Sequence, residues 1–196
     1  MNRVELKRLA REQLGGGIFK NNWLLAVVAV LIVTAITSAA STVPLLTLFL
    51  IGPLSVGTMV VFKNIKRCGV VKIEGLFEGF TKDFGGTLLL GLLQQIFIAL
   101  WSLLFVIPGI VKAYSYSMAY YLKSEHTDWD WRRCLDESRR ITNGHKMDLF
   151  ILDLSFIGWY LVGSLCLGVG TLWVEAYRNA TLINYYEELT ATRVEM

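Results

Sequence analysis

The chain has 196 residues, of which 54% are hydrophobic and 18% are charged, and its formal net charge is +3. Soluble domains have about 45–50% apolar and about 25% charged residues, so the composition excludes an ordinary soluble domain and indicates an integral membrane protein. The length allows one membrane domain over residues 1–196 and leaves no room for a second soluble one. The net charge is too small to argue for a nucleic-acid partner.

Six largely apolar stretches follow one another along the chain. A helix that crosses about 30 Å of hydrocarbon needs about 20 such residues, because each residue adds about 1.5 Å. The predicted spans cover residues 23–41, 44–62, 87–107, 110–122, 148–167 and 171–189. The predicted fold class is therefore all-α, a polytopic membrane bundle of six transmembrane helices joined by short amphipathic helices.

Prolines and glycines mark kinks and turns in this pattern. Gly52-Pro53 predicts a kink in the second span. Pro108-Gly109 predicts a tight turn between the third and fourth spans, and the Gly-Val-Gly sequence at 168–170 predicts another between the fifth and sixth. Because short turns join antiparallel neighbours, we expect the third span to pack against the fourth and the fifth against the sixth.

The distribution of basic residues predicts the orientation of the bundle. All of the 19 Lys and Arg residues except Lys112 and Arg178 lie in the segments on one side of the predicted spans, while the connections on the other side carry no charge. This is the positive-inside pattern of a multi-pass protein. We therefore expect a bacterial cytoplasmic membrane protein with both termini in the cytoplasm.

Three predicted cytoplasmic segments have apolar residues at helical spacing. They are NRVELKRLAREQL near the N terminus, EGLFEGFTKDF between the second and third spans, and DWDWRRCLDESRRI between the fourth and fifth. Each predicts a short helix on the inner interface whose basic side chains face anionic headgroups. The candidate inner-leaflet contacts are Arg3, Lys7, Arg8, Arg11, Arg132, Arg133, Arg139 and Arg140. The alternative is that these helices only tie the spans together.

Charged residues within the predicted spans are a second candidate site. Glu175 and Arg178 are three residues apart and share a helix face, so they can pair. Lys112 enters its span at a depth similar to that of Glu175, and the two are expected to meet. Asp153 enters from the opposite side, and at about 1.5 Å per residue it misses Arg178 by about 12 Å.

Together with two glutamines, these residues form a candidate polar seam along the third to sixth spans. Its members are Gln94, Gln95, Lys112, Asp153, Glu175 and Arg178. An unpaired ionisable residue at this depth costs about 2.5–3.5 kcal/mol on insertion scales, so each one suggests a function. Three interpretations stay open: a neutral set that holds the bundle together, a path for a substrate or ion, and a site for a lipid headgroup.

Known sequence motifs of catalytic and nucleotide-binding sites are not found. The chain has no phosphate-binding loop, paired catalytic carboxylates, metalloprotease helix or nucleophile elbow, so we expect no catalytic residues and no enzyme activity. The cysteines follow no metal spacing, and we expect neither a bound metal nor another cofactor.

Several motifs resemble a known family. They are NRVELKRLAR, GPLSVG, IEGLFEGFTKDFGGTLL, LLFVIPGIVKAYSYSMAYYL, and CLDESRRITNGHKMDLFILDLSFIGWYLVGSLCLGVGTLWVEAY. Over nearly the whole chain, the sequence resembles uncharacterised bacterial polytopic membrane proteins classed as a domain of unknown function. That family is distantly similar to the membrane domain attached to some glycerophosphodiester phosphodiesterases. The resemblance implies a six-helix membrane fold and no established activity. Glu175-Ala176-Tyr177 stands where the family commonly has Asn-Pro-Tyr, which ties any role of Glu175 to this protein.

Two functions are compatible with the sequence. The first is a non-enzymatic membrane component that binds membrane lipids, anionic ones at the inner leaflet, or that binds a protein partner or a second copy of itself. The alternative is a small permease or transporter subunit that uses the polar seam between the third and sixth spans. Neither needs a cofactor.

Overall fold

The computed structural model describes residues 3–16, 21–42, 44–165 and 168–194, and in this part of the chain all regular structure is helical. The elements in order are α1 (Arg3–Gln13), α2 (Asn21–Ala40), α3 (Pro44–Cys68), a 3-10 helix (Ile73–Phe77), α4 (Glu78–Thr81), α5 (Phe84–Leu104), α6 (Val106–Tyr116), α7 (Ala119–Glu125), α8 (Trp131–Thr142), α9 (Lys146–Leu165) and α10 (Val169–Val194). The predicted all-α class is confirmed.

Four helices of the described chain are long and apolar enough to cross a membrane. They are Asn21–Ala40, Leu46–Cys68, Phe84–Leu103 and Lys146–Leu165. The first, second, third and fifth predicted spans correspond to them. The sixth predicted span corresponds to α10, whose 26 residues are long enough but carry charged and polar side chains.

The fourth predicted span, residues 110–122, is not one continuous helix. It is divided between α6 and α7 by a turn at Ser117 and Met118. The turn expected at Pro108-Gly109 is also misplaced: the chain breaks at Phe105, which is extended at φ −156° and ψ 142°. Pro108 lies in the first turn of α6, where a missing N–H costs little because the first N–H groups of a helix have no intrahelical partner.

The break between α6 and α7 leaves backbone groups to be paired, and side chains from other helices pair them. The Ser138 hydroxyl of α8 accepts a hydrogen bond from the Met118 N–H (3.2 Å) and donates one to the Ser115 carbonyl (2.9 Å). The Tyr186 hydroxyl of α10 donates to the Ser117 carbonyl at 3.1 Å. A break of this kind is tolerated at membrane depth only where the freed groups are satisfied within the protein.

The helices form antiparallel hairpins that pack side by side. α5 packs against α6 and α9 against α10, which confirms both predicted pairs, and α3 packs against α2 and α5. α3 continues through Pro53. Glycines allow α3 and α5 to approach closely: a Cβ atom placed on Gly52 would lie 2.1 Å from the Thr87 carbonyl oxygen, and one on Gly91 would lie 2.5 Å from the Cα atom of Gly52.

Ion pairs join several helices at one end of the bundle. Lys63 of α3 pairs with Glu125 of α7 at 2.8 Å, and Lys66 of α3 pairs with Glu187 of α10 at 2.7 Å. Arg67 lies between both carboxylates, at 3.0 Å from Glu125 and 3.3 Å from Glu187. The C-terminal ends of α3, α7 and α10 therefore lie together.

A buried lysine fixes the start of α5 at the same end. The Lys123 side chain is fully buried and pairs with Asp83, while its amine also donates to the carbonyls of Thr127 (3.0 Å) and Trp129 (2.6 Å). Asp83 also caps α5 by accepting from the Gly86 N–H at 3.1 Å. Partial burial would raise the pKa of the Asp83 carboxyl, but the hydrogen bonds from Lys123 and Gly86 outweigh it and hold the pKa below its ordinary value.

Replacing Gly52 with alanine tests the close contact between α3 and α5. The new methyl group meets backbone atoms that cannot rotate away, so the free energy of unfolding in detergent is expected to fall by about 1–3 kcal/mol. Gly158→Ala is the matched control, because a Cβ atom there meets no heavy atom within 4 Å. Equal stability of the two variants would contradict the close packing.

The Asp83–Lys123 pair predicts a dependence of stability on pH. Because the folded state lowers the pKa of Asp83, its contribution is complete above the unfolded pKa of about 3.9 and is lost as the pH falls through the folded value. Asp83→Asn should remove about 3 kcal/mol at pH 7, since it leaves Lys123 buried without a carboxylate, and should flatten the stability profile below pH 4.

Thermal unfolding in detergent between pH 7 and pH 3 measures this effect. Lys82→Met is the control, because the one ion pair of Lys82 within the described part of the chain is an exposed pair with Glu78. If the unfolding temperature falls equally steeply on acidification in wild type and in Asp83→Asn, carboxylates other than Asp83 cause the acid sensitivity.

Candidate functional site

The α9–α10 hairpin brings two charged side chains into direct contact. The Arg178 guanidinium group binds the Asp153 carboxylate through two hydrogen bonds, Nε to Oδ1 at 2.8 Å and Nη2 to Oδ2 at 3.1 Å. The expectation that Asp153 misses Arg178 is therefore wrong. The turn at Gly168 sets the register: Asp153 lies about 18 Å below the end of α9 and Arg178 about 14 Å below the start of α10, a difference that a long arginine side chain bridges.

Glu175 completes this ion cluster on α10. Its carboxylate lies 3.6 Å from the Arg178 guanidinium group, as the helical spacing predicts. It also accepts hydrogen bonds from the Tyr160 hydroxyl and from the Asn179 amide at 3.3 Å. Arg178 is thus held between two carboxylates, and the ion cluster of Asp153, Glu175 and Arg178 has a formal charge of −1.

Tyrosine hydroxyl groups offset part of the negative charge. The Tyr114 hydroxyl of α6 donates to Asp153 Oδ2 at 3.1 Å, and Tyr160 of α9 donates to Glu175. Hydrogen bonds to an ionised acceptor are stronger than neutral ones, so these donors stabilise the carboxylates away from water. The sequence prediction missed Tyr114; its hydroxyl group, in a predicted span that also carries Lys112 and Ser115, is the signal that could have found it.

Lys112 does not join the ion cluster. The expected contact with Glu175 is not formed; the Lys112 amine instead lies over the rings of Trp101 (4.8 Å to the centroid) and Tyr116 (5.9 Å). Because Trp101 lies on α5, the Lys112 amine is on the side of α6 that faces α5.

The glutamines of the predicted seam also lie apart from the ion cluster. Gln94 and Gln95 are on α5, which packs against α3, α6, α7 and α8. Gln94 is buried, and its Oε1 atom has no hydrogen-bond donor among the described residues. The seam predicted as one feature thus separates into the ion cluster, Lys112 and a glutamine pair.

Two cavities flank α10 at the level of the ion cluster. One, of about 340 Å³, lies between α6, α9 and α10 and is lined by Ile110, Ala113, Tyr114, Ser117, Leu149, Asp153, Arg178, Leu182 and Tyr186. The other, of about 310 Å³, lies between α2, α3, α7 and α10 and is lined by Val30, Val33, Thr34, Ser55, Thr58, Met59, Tyr120, Glu175 and Asn179. The ion cluster therefore borders both cavities.

The predicted helix around residue 135 is confirmed as α8, and it has two distinct faces. One face packs against α5, α6 and α7 through the buried residues Cys134, Leu135, Ser138, Ile141 and Thr142. The opposite face exposes the arginines Arg132, Arg133, Arg139 and Arg140.

The arginines of α8 have different partners. Arg132 lies over the Trp131 ring at 5.0 Å and Arg133 over the Trp129 ring at 4.2 Å. Arg139 and Arg140 form pairs within the helix, Arg139 with Asp136 at 3.4 Å and Arg140 with Glu137. The arginine–tryptophan pairs at the start of α8 have the composition of a membrane-interface anchor.

The N-terminal helix is also confirmed, as α1, but its basic side chains are largely engaged within the protein. Arg8 pairs with Glu5 and with Glu12 (2.8 Å). Lys7 lies 4.2 Å from the centre of the Phe156 ring. Arg11 similarly lies over the Tyr177 ring at 5.4 Å, and Arg3 is exposed. α1 and α8 each carry four basic and two acidic residues, so both have a formal charge of +2. They differ in exposure: all four arginines of α8 are exposed, whereas Lys7 of α1 is partly buried.

Comparison with known proteins gives a family and nothing more specific. The family model described as "Protein of unknown function (DUF975)" matches residues 1–115 and 103–193. None of the curated proteins matches the chain, and none of the solved structures does.

A double-mutant cycle tests the coupling in the ion cluster. Asp153→Asn, Arg178→Gln and the double variant should give an interaction free energy of at least about 1 kcal/mol in detergent unfolding, because the pair is bidentate and only about a quarter exposed. The exposed pair of Arg8 and Glu12 is the matched control and should give at most about 0.5 kcal/mol. If the interaction free energy of Asp153 and Arg178 is no larger than that of Arg8 and Glu12, the partly buried pair contributes no more than a surface pair.

Proposed function

We propose that this chain, which belongs to the DUF975 family of proteins of unknown function, is a non-enzymatic component of a bacterial cytoplasmic membrane that binds anionic lipids at the inner leaflet. In this proposal the chain crosses the membrane six times, with both termini in the cytoplasm. The four apolar helices supply four passages, α6 with α7 supplies the fifth, and α10 supplies the sixth.

The ion pairs at one end of the bundle support six passages. Lys63 and Arg67 at the end of α3 pair with Glu125 at the end of α7, and Lys66 pairs with Glu187 of α10. α7 and α10 therefore end beside the inner end of α3, on the side opposite the break at Phe105. A chain that stayed on the outer side after α5 could not form these contacts.

The exposed arginine face of α8 is the observation that carries the lipid-binding role. Its apolar face is covered by α5, α6 and α7, so its orientation is fixed, and its arginines are held outward. Arg132 and Arg133 have no carboxylate within 4 Å among the described residues, so their charge is available to a ligand. Each basic residue near an anionic membrane surface contributes about 1 kcal/mol of attraction.

Exposed aromatic residues support the same placement of the inner interface. Phe77 and Phe84 are nearly half exposed, and both pack against Phe80 at the inner ends of α4 and α5. Together with Trp129 and Trp131 they form a band of aromatic side chains at the level of α8. Aromatic belts of this kind lie at the level of the headgroups.

A second candidate function is transport, and the two cavities beside α10 favour it. A small polar substrate or ion could contact Glu175 from one cavity and Asp153 from the other. Alanine at Gln94, Lys112, Asp153 and Glu175 separates the two functions. A transporter keeps its fold and loses flux in liposomes, whereas in a structural cluster the substitutions lower stability without changing any flux.

Native mass spectrometry of the delipidated protein tests the lipid-binding role. Wild type should retain more dioleoylphosphatidylglycerol than dioleoylphosphatidylcholine. Arg132→Gln/Arg133→Gln should weaken phosphatidylglycerol binding by up to about thirtyfold, since each surface charge contributes about 1 kcal/mol at most and about 1.4 kcal/mol is tenfold. The control is Arg8→Gln, because Arg8 is already neutralised by Glu5 and Glu12.

Equal retention of both lipids by wild type would contradict the proposal. A second protein that stays bound in stoichiometric amount, or a second copy of the chain, with no preference between the lipids, would favour a protein partner over lipid as the ligand of the inner face.

A further inference from the structure

The cavity between α2, α3, α7 and α10 has a lining rich in polar oxygen atoms and includes one carboxylate. Its volume is about 310 Å³, at the small end of the range of about 300–1,000 Å³ for ligand pockets. Glu175 supplies the carboxylate, and among the described residues no lysine or arginine lines the cavity. The charge that a ligand meets here is therefore negative.

Glu175 is the less neutralised of the two acids in the ion cluster. The Arg178 guanidinium group binds Asp153 through two hydrogen bonds of 2.8 and 3.1 Å, but it lies 3.6 Å from Glu175. The hydroxyl of Tyr160 and the amide of Asn179 also donate to Glu175, but neither group carries a charge. The Glu175 side chain is only 36% exposed. Because an unbalanced charge that is largely removed from water is costly, this arrangement favours a positively charged ligand.

The threonine hydroxyls of the cavity have used their hydrogen atoms within their own helices. Thr34 and Thr58 each donate to the backbone carbonyl four residues earlier, at 2.8 Å. A hydroxyl whose hydrogen is already donated presents only lone pairs to a ligand. The Asn179 amide nitrogen likewise donates to Glu175, which leaves its carbonyl oxygen as an acceptor. These groups match a ligand that donates hydrogen bonds.

One buried polar group of the cavity has no partner. Tyr120 is 8% exposed, and its hydroxyl forms no hydrogen bond in the described part of the chain, although Gln95 and Ser55 lie near it. A buried polar group without a partner is costly, so an unpaired one beside a cavity points to a ligand that pairs it.

We infer that this cavity binds the ammonium group of a small primary amine. A primary ammonium group carries one positive charge and three N–H donors, and it accepts no hydrogen bond. Glu175 would balance its charge, and the oxygen atoms of the cavity would accept its N–H groups. Val30, Val33 and Met59 supply apolar walls for a short alkyl chain. A bare metal ion fits less well, because it would leave most of the cavity unfilled and because the described residues include no group of three His, Cys, Asp or Glu side chains that could hold it.

An amine site here goes beyond the lipid-binding role, and it gives the transport candidate a class of ligand. It rests on the cavity and the ion cluster and is independent of the six-passage topology. Among the described residues that line the cavity, none belongs to α8. Glu175→Gln should therefore retain phosphatidylglycerol as wild type does, so that the amine site and the role of α8 can fail separately.

Isothermal titration calorimetry of the protein in detergent, with n-butylammonium chloride in an amine-free buffer at pH 7, tests the amine site. Wild type should bind one equivalent. Glu175→Gln should weaken binding at least about tenfold, because it removes the charge that balances the ligand. Glu74→Gln is the matched control: it removes an exposed carboxylate that does not line the cavity, and it should leave binding unchanged.

Tyr120→Phe is a second variant that separates ligand binding from folding. Removal of an unpaired buried hydroxyl should leave the unfolding temperature of the ligand-free protein unchanged or raise it, and should weaken n-butylammonium binding about two- to tenfold. A purely structural role of Tyr120 would change only the unfolding temperature. Binding as tight as that of wild type in either Tyr120→Phe or Glu175→Gln would place the amine outside this cavity.

The choice of ligands tests the chemical class. Absence of saturable n-butylammonium binding by wild type overturns the site. Equally tight binding of butyltrimethylammonium, which has the charge but no N–H donor, also overturns it, and so does equally tight binding of sodium ion. If dioleoylphosphatidylethanolamine displaces n-butylammonium, the amine is that of a lipid headgroup; if it does not, the site takes a soluble amine. Binding without flux in liposomes would leave the site standing and contradict transport.

Discussion

Hydrocarbon offers no counter-charge to an ionised side chain and no hydrogen-bond partner to a backbone N–H or C=O group. This constraint explains the least regular parts of the structure. α6 and α7 are separated by a break, and the freed groups of Ser115, Ser117 and Met118 are paired by side chains of α8 and α10. The same constraint governs α10, whose Arg178 is enclosed by two carboxylates. α8 is thus part of the bundle, because its Ser138 pairs backbone groups that the break leaves free.

The sequence predicts the fold well where composition decides it. Apolar length and basic flanks identify α2, α3, α5 and α9, and helical spacing identifies α1 and α8, because both signals are local. The break between α6 and α7 was not predicted, since the hydrogen bonds that permit it come from Ser138 and Tyr186, far away in sequence. The turn expected at Pro108-Gly109 was misplaced for a related reason: a proline in the first turn of a helix loses no hydrogen bond, so the same residue can begin a helix or end one.

Pairing between charges was harder to predict than their presence. Each ionisable residue of the seam is recognisable in the sequence, but its partner depends on helix register and side-chain reach. When depth is counted inward from the two membrane surfaces, Asp153 and Arg178 are predicted at different depths. The turn at Gly168 sets a register that brings them together. Lys112 was assigned to Glu175 by depth alone, but depth gives no information on which side of α6 a residue faces. Its actual contact with Trp101 follows from the packing of α5 against α6.

The proposed topology brings these features together, and the location of α8 tests it most directly. In a variant without Cys68, Cys134 and Cys166, single cysteines at Phe105 and Asp136 can be labelled in spheroplasts with a membrane-impermeant maleimide. With six passages, the cysteine at 105 reacts in intact spheroplasts and the one at 136 reacts only after permeabilisation. Reaction at 136 in intact spheroplasts would place α8 outside, and it would contradict both the fifth passage and the inner-leaflet role.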